Sequence, residues 1–231
     1  MEFEPFVLAA SVDDLAAEPA ARAHADAVEF RMDLADAPFA ALDAYAGALP
    51  VIATNRAASE GGGAPEDGDR LDALRTAAEL PAVAAVDVEL ATFGDEEDEG
   101  SGREGGARVV EHARANDTVA IVSAHDFEGT PPRATLCGTL TRASERGDVG
   151  KLAVTASAPA DVLDLLAATH ALAAEGRRVA TMAMGAAGRH SRAIAPLYGS
   201  RIGYAPIDPD AATAPGQYDL ATLADLIERL R

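Results

Sequence analysis

"TVAIVSAHDFEGTPPRATLCGTLTRASERGDVGKLAVTA", residues 118–156, carries the unit from which the fold is read. The run 118–126 is rich in β-branched and apolar residues and ends in Ser-Ala-His-Asp. A turn built on Gly129, Pro131 and Pro132 follows, and in 132–146 the apolar side chains Leu136, Leu140 and Ala143 recur at helical spacing. Beyond Gly147 a second apolar run, 150–156, begins. Strand, helix and strand in that order place the two strands parallel, because a helical crossover returns the chain to the same end of the sheet.

The alternation extends outward in both directions. Strand-like runs occupy 6–11, 28–33, 50–56, 84–90, 177–184 and 200–207, and helical patterns occupy 69–79, 103–115, 159–175 and 219–230. Such a series predicts a single (β/α)8 TIM barrel, with residues 1–231 as one catalytic domain. An open, doubly wound sheet is the other arrangement that the alternation allows.

With 38 acidic against 19 basic residues, the formal net charge is −19. Nucleic acid is excluded as a partner, since a polyanion needs a basic stripe and the sequence has none. The acidity, the abundant alanine and the near-absence of lysine resemble cytoplasmic proteins of salt-loving microbes, in which molar salt cuts the Debye length to about 3 Å. No charged leader or apolar stretch of membrane-spanning length occurs, so a soluble cytoplasmic protein without membrane partners is expected. Cys137 has no second cysteine to pair with and reads as a buried helical thiol. Two loops fall on what would be the barrel's active face. "ASEGGGAPEDGD" (58–69) reads as a lid, its acids making it a poor phosphate cradle, and "ATFGDEEDEGSG" (91–102) reads as a solvated acidic insertion.

The basic residues are 18 arginines and one lysine, Lys151. That lysine either caps the lower rim of the sixth strand in solvent or points inward among apolar neighbours. An inward amine would lose its proton more easily, through desolvation and the repulsion of nearby arginines, and a neutral amine attacks carbonyls. Arginine cannot do this, because it stays protonated. His125, at the C-terminal end of the preceding strand, is the matching candidate for general acid–base work. His24, His112 and His170 read as surface or packing residues. No HxxxH pair or Cys–His cluster occurs, so no metal is expected.

Strand periodicity sets Glu29, Arg31 and Asp33 on one face and Asp87 and Glu89 on another inward face. Asp33 and Asp87 serve either a ligand pocket or an internal ring of ion pairs that braces the barrel. "MAMGAAGRHSRAIA" (182–195) runs from a strand through a glycine turn toward a helix, where Arg189 and Arg192 can hold an anion, with Arg56 facing them. "TAPGQ" (213–217) offers Thr213 and Gln217 as hydrogen-bonding groups.

Taken together, "EFRMD", "TNRAASEGG", "VDVEL", "SAHDFEGTP", "GKLAV", "MAMGAAGRHSR", "YGS" and "TAPGQ" resemble, in order and spacing, the type I 3-dehydroquinate dehydratases, in particular a member from a halophilic archaeon. The resemblance implies a (β/α)8 barrel, no cofactor, a homodimer, and conversion of 3-dehydroquinate to 3-dehydroshikimate in the shikimate route to chorismate and the aromatic amino acids. It implies Lys151 as the Schiff-base amine and His125 as general acid and base. Glu29, Arg31, Arg56 and Gln217 would bind or position substrate, Arg192 would hold its carboxylate, and Glu60 and Met184 would support. Thr213 stands where a serine is common, and Ala124 where asparagine is common. A hairpin that precedes the first strand in some relatives is missing. Two other readings remain: a class I aldolase, which would use the lysine with a phosphorylated substrate, and a non-catalytic barrel whose acidic loops bind a partner.

Overall fold

In a computed structural model, which describes residues 3–4, 6–66, 68–94, 105–208 and 216–231, the strands are β1 (Val7–Val12), β2 (Ala27–Arg31), β3 (Val51–Thr54), β4 (Val83–Glu89), β5 (Val119–Asp126), β6 (Val149–Thr155), β7 (Val179–Met184) and β8 (Ile202–Pro206). They form one sheet in the order β7-β6-β5-β4-β3-β2-β1-β8, with every paired neighbour parallel. The two end strands approach each other across a seam. Arg201 N–H donates to the Val179 carbonyl at 2.8 Å, and Thr181 N–H donates to Ser200 Oγ at 3.0 Å. The sheet is therefore a nearly closed barrel, and the open arrangement is not adopted.

Around it lie α1 (Glu18–Ala21), α2 (Pro38–Asp43), α3 (Gly68–Ala78), α4 (Gly105–Ala115), α5 (Arg133–Arg146), α6 (Pro159–Ala174), α7 (Gly185–Gly188), α8 (Ser191–Ile194) and α9 (Leu220–Leu230). Local chemistry starts the long ones. Pro159 opens α6, and Asp161 folds back to accept from the N–H groups of Ser157 and Ala158. Asp219 caps α9 through Thr222 N–H at 2.9 Å. The helices α1 and α2 are too short to show a 3.6-residue period, and the sequence reading assigned none there. The single helix expected after β7 is instead two separate turns, α7 and α8. Cys137 lies on α5 as expected but is half-buried, not buried. Within the acidic insertion, residues 95–102 lie outside the described residues. Among the described residues, no helix is long and apolar enough to cross a membrane.

Two-residue periodicity divides the core into an outer and an inner shell. Val28, Phe30, Met32, Val86 and Val88 face the helices and pack with Leu74 and Leu223. The intervening residues Ala27, Ile52, Ala85, Ile121, Val149 and Ile202 fill the lower barrel, with Phe3 packed against them. One pleat higher on the same inward face the side chains become polar: Glu29, Asp87, Ser123 and Lys151, all buried. Thus the lower barrel is a plug and the upper barrel is a site.

Gly150 sets the height and approach of the strand that carries Lys151. A Cβ there would lie 2.6 Å from the Ser144 backbone nitrogen and 3.0 Å from the Leu140 carbonyl oxygen of α5. Backbone cannot yield as a flexible side chain does, so Gly150→Ala should push β6 away from α5. Loss of about 1–3 kcal/mol of stability is expected, read as a lowered urea midpoint at fixed high salt, together with reduced turnover.

Candidate active site

At the C-terminal ends of the strands lies a pocket enclosing about 560 Å³, part of it open to solvent. Its floor is the polar layer of the barrel. Lys151 projects inward and is 4 % exposed. Its Nζ lies 2.8 Å from Asp87 Oδ2, 3.9 Å from Glu29 Oε1, and 4.2 Å from the centroid of the Tyr204 ring. The surroundings are therefore not the apolar ones expected of an inward amine. An opposite charge stands beside it, because β4 and β6 both aim a charged residue at the axis at the same height.

Asp87 is the centre of a continuous network. Its Oδ1 accepts from Ser123 Oγ at 2.6 Å and meets Arg56 Nη2 at 2.8 Å. Arg56 Nη1 donates to Glu89 Oε1 at 3.0 Å and to Ser123 Oγ at 2.8 Å, and Arg70 of α3 reaches Glu89 Oε2 at 2.6 Å. Burial disfavours the charge of Asp87, but Arg56 and Lys151 outweigh it and hold the carboxyl well below the usual carboxylate range. By the same balance, burial lowers the Arg56 guanidinium while Asp87 and Glu89 raise it further, leaving it above its ordinary value. Asp87 thus serves both readings offered for it: it braces the barrel and touches the lysine. Asp33 takes the bracing role. It accepts from Arg31 at 2.9 and 2.6 Å and from Gly63 N–H at 3.0 Å, tying the end of β2 to the loop after β3. Glu29 accepts from Ser11 Oγ at 2.6 Å and Thr54 Oγ1 at 3.2 Å.

His125, two residues beyond Ser123 on β5, rises above the lysine layer. Its register partner is Ala153, whereas that of Ser123 is Lys151. Its Nδ1 lies 2.7 Å from Glu60 Oε2, carried on the short turn Ala58–Glu60. Glu60, not the residue at 124, supplies the histidine's hydrogen bond; Ala124 packs against the outer helices. Burial, then the charges of Arg56 and Lys151, hold the imidazole well below its ordinary value. Burial pushes the Glu60 carboxyl up to about 7, with Glu89 and Asp87 adding and Arg56 opposing. One proton therefore decides the tautomer. With Glu60 ionised, Nδ1–H donates to it and Nε2 presents a lone pair; with Glu60 protonated, the carboxyl donates and Nε2 holds the hydrogen.

Arg192 lines the same pocket, 5 % exposed. Its turn is pinned to the end of β7 because Ala183 N–H donates to Ser191 Oγ at 2.8 Å. Unlike Arg31, Arg56 and Arg70 it faces no carboxylate among the described residues, its Nε has no hydrogen-bond partner, and burial lowers it to about 10. A buried cation in this state is built to receive an anion. Arg189, expected beside it, is exposed and stacks on Tyr218 at 4.0 Å from the ring centroid, away from the pocket. Met184 and Gln217 line the pocket, whereas Thr213 lies outside the described residues. Among the described residues, no group of three His, Cys, Asp or Glu side chains is placed to hold a metal ion.

Several residues of the pocket and of the ion-pair network beneath it were not singled out from sequence. Ser11 and Thr54 continue inward alternations that the reading could have followed to their ends. Arg70 sits on a helix and reaches the barrel only through tertiary packing, so no local pattern marks it. Tyr204, next inward after Ile202 on β8, reads as core.

Residues 6–230 match the sequence profile of the type I 3-dehydroquinases. The chain is similar to the 3-dehydroquinate dehydratases of Haloarcula marismortui, 57 % identical over 100 % of this chain and 99 % of that protein, and of Halobacterium salinarum, 53 % identical over the full length of both. The fold superposes on the crystal structure of 3-dehydroquinate dehydratase from Geobacillus kaustophilus with a TM-score of 0.82 and 28 % identity, covering 98 % of this chain and 91 % of that one. A type I 3-dehydroquinate dehydratase structure from Clostridium difficile, with covalently modified comenic acid, gives a TM-score of 0.83 at 25 % identity, covering 98 % and 92 %.

The His125–Glu60 pair predicts the acid side of the pH profile. The base form of His125 gains as Glu60 ionises, so kcat/KM should rise with pH around 7. In Glu60→Gln nothing titrates at position 60, and the remaining control is the imidazole, held well below its ordinary value by burial. The acid limb should therefore move down in pH, while the plateau falls by roughly tenfold or more because a neutral amide orients the imidazole less well. A limb that stays in place in the variant refutes the coupling.

Proposed function

We infer the reaction from one premise: this chain belongs to the type I 3-dehydroquinase family. Its activity is accordingly that of a 3-dehydroquinate dehydratase, a lyase. We propose that residues 1–231 act as one catalytic domain that turns 3-dehydroquinate into 3-dehydroshikimate and water through a lysine Schiff base, serving the shikimate route to chorismate. The observation that carries this reading is that the chain's one lysine shares a pocket with His125 and with a guanidinium that has no counter-ion among the described residues.

Arg192 receives the substrate carboxylate by charge-assisted hydrogen bonds and so fixes the ring above Lys151. Nζ attacks the C3 ketone, and the oxygen leaves as water as the iminium forms. Asp87, held low by Arg56 and Lys151, is too weak a base to take the amine's proton. The His125–Glu60 pair, whose carboxyl is pushed up to about 7, takes it. The same Asp87 carboxylate, 2.8 Å from Nζ, then lies against the iminium and stabilises its positive charge. His125 Nε2 removes the C2 proton, the electrons flow to the iminium, and the protonated histidine delivers its hydrogen to the departing C1 hydroxyl. Hydrolysis of the product imine returns the amine. Glu29, Arg31, Arg56 and Gln217 orient ring hydroxyls or the groups that touch them, Thr213 adds a hydroxyl, and Met184 packs near the imine. No cofactor or metal takes part.

Sodium borohydride with 3-dehydroquinate should trap a reduced adduct on the peptide that contains Lys151, and Lys151→Ala should lose turnover by about a thousandfold or more. Mass mapping of an adduct to any other peptide, or of none, overturns the mechanism.

We also propose a halophilic, cytoplasmic homodimer. The charge of −19 and the similarity to proteins of salt-loving archaea support the salt preference. With a Debye length of about 30 Å at 0.01 M salt and about 3 Å at 1 M, surface acids repel one another in dilute buffer and scarcely at all in molar salt. The melting temperature and kcat/KM should both rise from dilute buffer to molar KCl. Highest stability in dilute buffer would refute the halophilic reading and leave the chemistry untouched.

A further inference from the structure

Tyr204 stands inside the barrel on β8, 4 % exposed, and lines the same pocket as Lys151 and Arg192. Its hydroxyl is buried and has no hydrogen-bond partner among the described residues. Its ring lies under the lysine, with the centroid 4.2 Å from Nζ. A phenylalanine would fill the same space without leaving a polar atom unsatisfied, and buried hydroxyls in folded proteins are almost always paired. The polar layer around it shows the rule by contrast: Ser11, Thr54 and Ser123 each donate to a carboxylate. Burial, followed by the charges of Asp87 and Glu29, raises the phenol well above its ordinary value, so it keeps its proton and can act only as a neutral hydroxyl.

An unpaired donor on a ring that packs against the attacking nitrogen and lines its pocket is available to an oxygen that arrives with the substrate. We propose that the Tyr204 hydroxyl is a further catalytic group, which donates a hydrogen bond to the carbonyl oxygen of the substrate as Lys151 attacks it and to the same oxygen as it leaves. The inference rests on the Schiff-base reading given above. In the attack, the Nζ–C3 bond forms and the carbonyl π electrons move to oxygen. The C3–O bond then breaks, and the oxygen departs as water with two of the three protons of the starting ammonium, relayed by His125, while the third stays on the iminium nitrogen. Tyr204 gives up no proton at any stage. Its donor stabilises the negative charge that develops on oxygen, and its ring face then supports the iminium cation.

Because Tyr204→Phe retains the ring and removes one oxygen, it tests the hydroxyl alone. Adduct formation is followed by rapid mixing of enzyme with 3-dehydroquinate and quenching into borohydride, with the Lys151 peptide quantified by mass spectrometry. The variant should form the trappable adduct slower by on the order of a hundredfold, the loss typical of one donor to a developing oxyanion. Its melting temperature should equal or exceed that of the parent, since an unsatisfied buried hydroxyl has been removed. A rate within twofold of the parent overturns the proposal, as does a lowered melting temperature, which would show that the hydroxyl is a partnered structural group. Failure of the underlying Schiff-base reading is distinguishable, because the unaltered protein would then trap no adduct on Lys151.

Discussion

The contact between Lys151 and Asp87 inside the barrel is the constraint around which the upper half of the molecule is arranged. Two opposite charges 2.8 Å apart and out of water attract strongly, but removing them from water costs energy of similar size, and well-packed apolar residues often serve stability better. A pair of this kind is tolerable only if the remaining valences of both partners are satisfied. Ser123 and Arg56 complete Asp87; Glu89 in turn completes Arg56, and Arg70 completes Glu89. Once an ammonium is buried for chemistry, each further charge follows from the need to neutralise the previous one. The network ends at α3, outside the barrel, and this explains why a helix with no catalytic residue contributes an arginine to the site.

Much of this was legible in the sequence because the barrel repeats a simple rule. Alternation along "VEFRMD" and "VDVEL" correctly separated Glu29 and Arg31, and Asp87 and Glu89, from the apolar residues that face the helices. The same rule gives the height of each side chain, since Lys151 and Ser123 share a level and His125 lies a pleat above. What strand periodicity cannot give is which charges meet, because that depends on the stagger of strands distant in sequence. Hence Asp87 was seen as an inward acid but not as the neighbour of Lys151, and the lysine was assigned apolar surroundings. Arg189 and Arg192 illustrate the same limit on a helix: three residues apart, they were read together, yet a break after Gly188 sends one to Tyr218 and the other into the pocket. Resemblance to the family singled out Glu60, which no period marks.

Surface and pocket divide the chain's cations by kind. Exposed positions carry arginine, often paired with an acid as in Arg114–Asp148 and Arg229–Asp225, and the lysine is confined to the barrel. Arginine binds carboxylates through a fixed fork and never loses its charge, which suits a surface dominated by acids and suits Arg192. Only an amine can become an imine.

The division also reconciles an acidic protein with an anionic substrate. Repulsion from the acidic surface acts over the Debye length, which molar salt reduces to about the size of one contact. In the proposed mechanism Arg192, 5 % exposed, attracts the carboxylate at hydrogen-bond distance, so that attraction is screened far less. Salt therefore removes the opposing force and leaves most of the favourable one. In such a medium a net charge of −19 need not govern what binds, and in the proposed mechanism Arg192, the pocket guanidinium that faces no carboxylate among the described residues, fixes which end of the substrate is held.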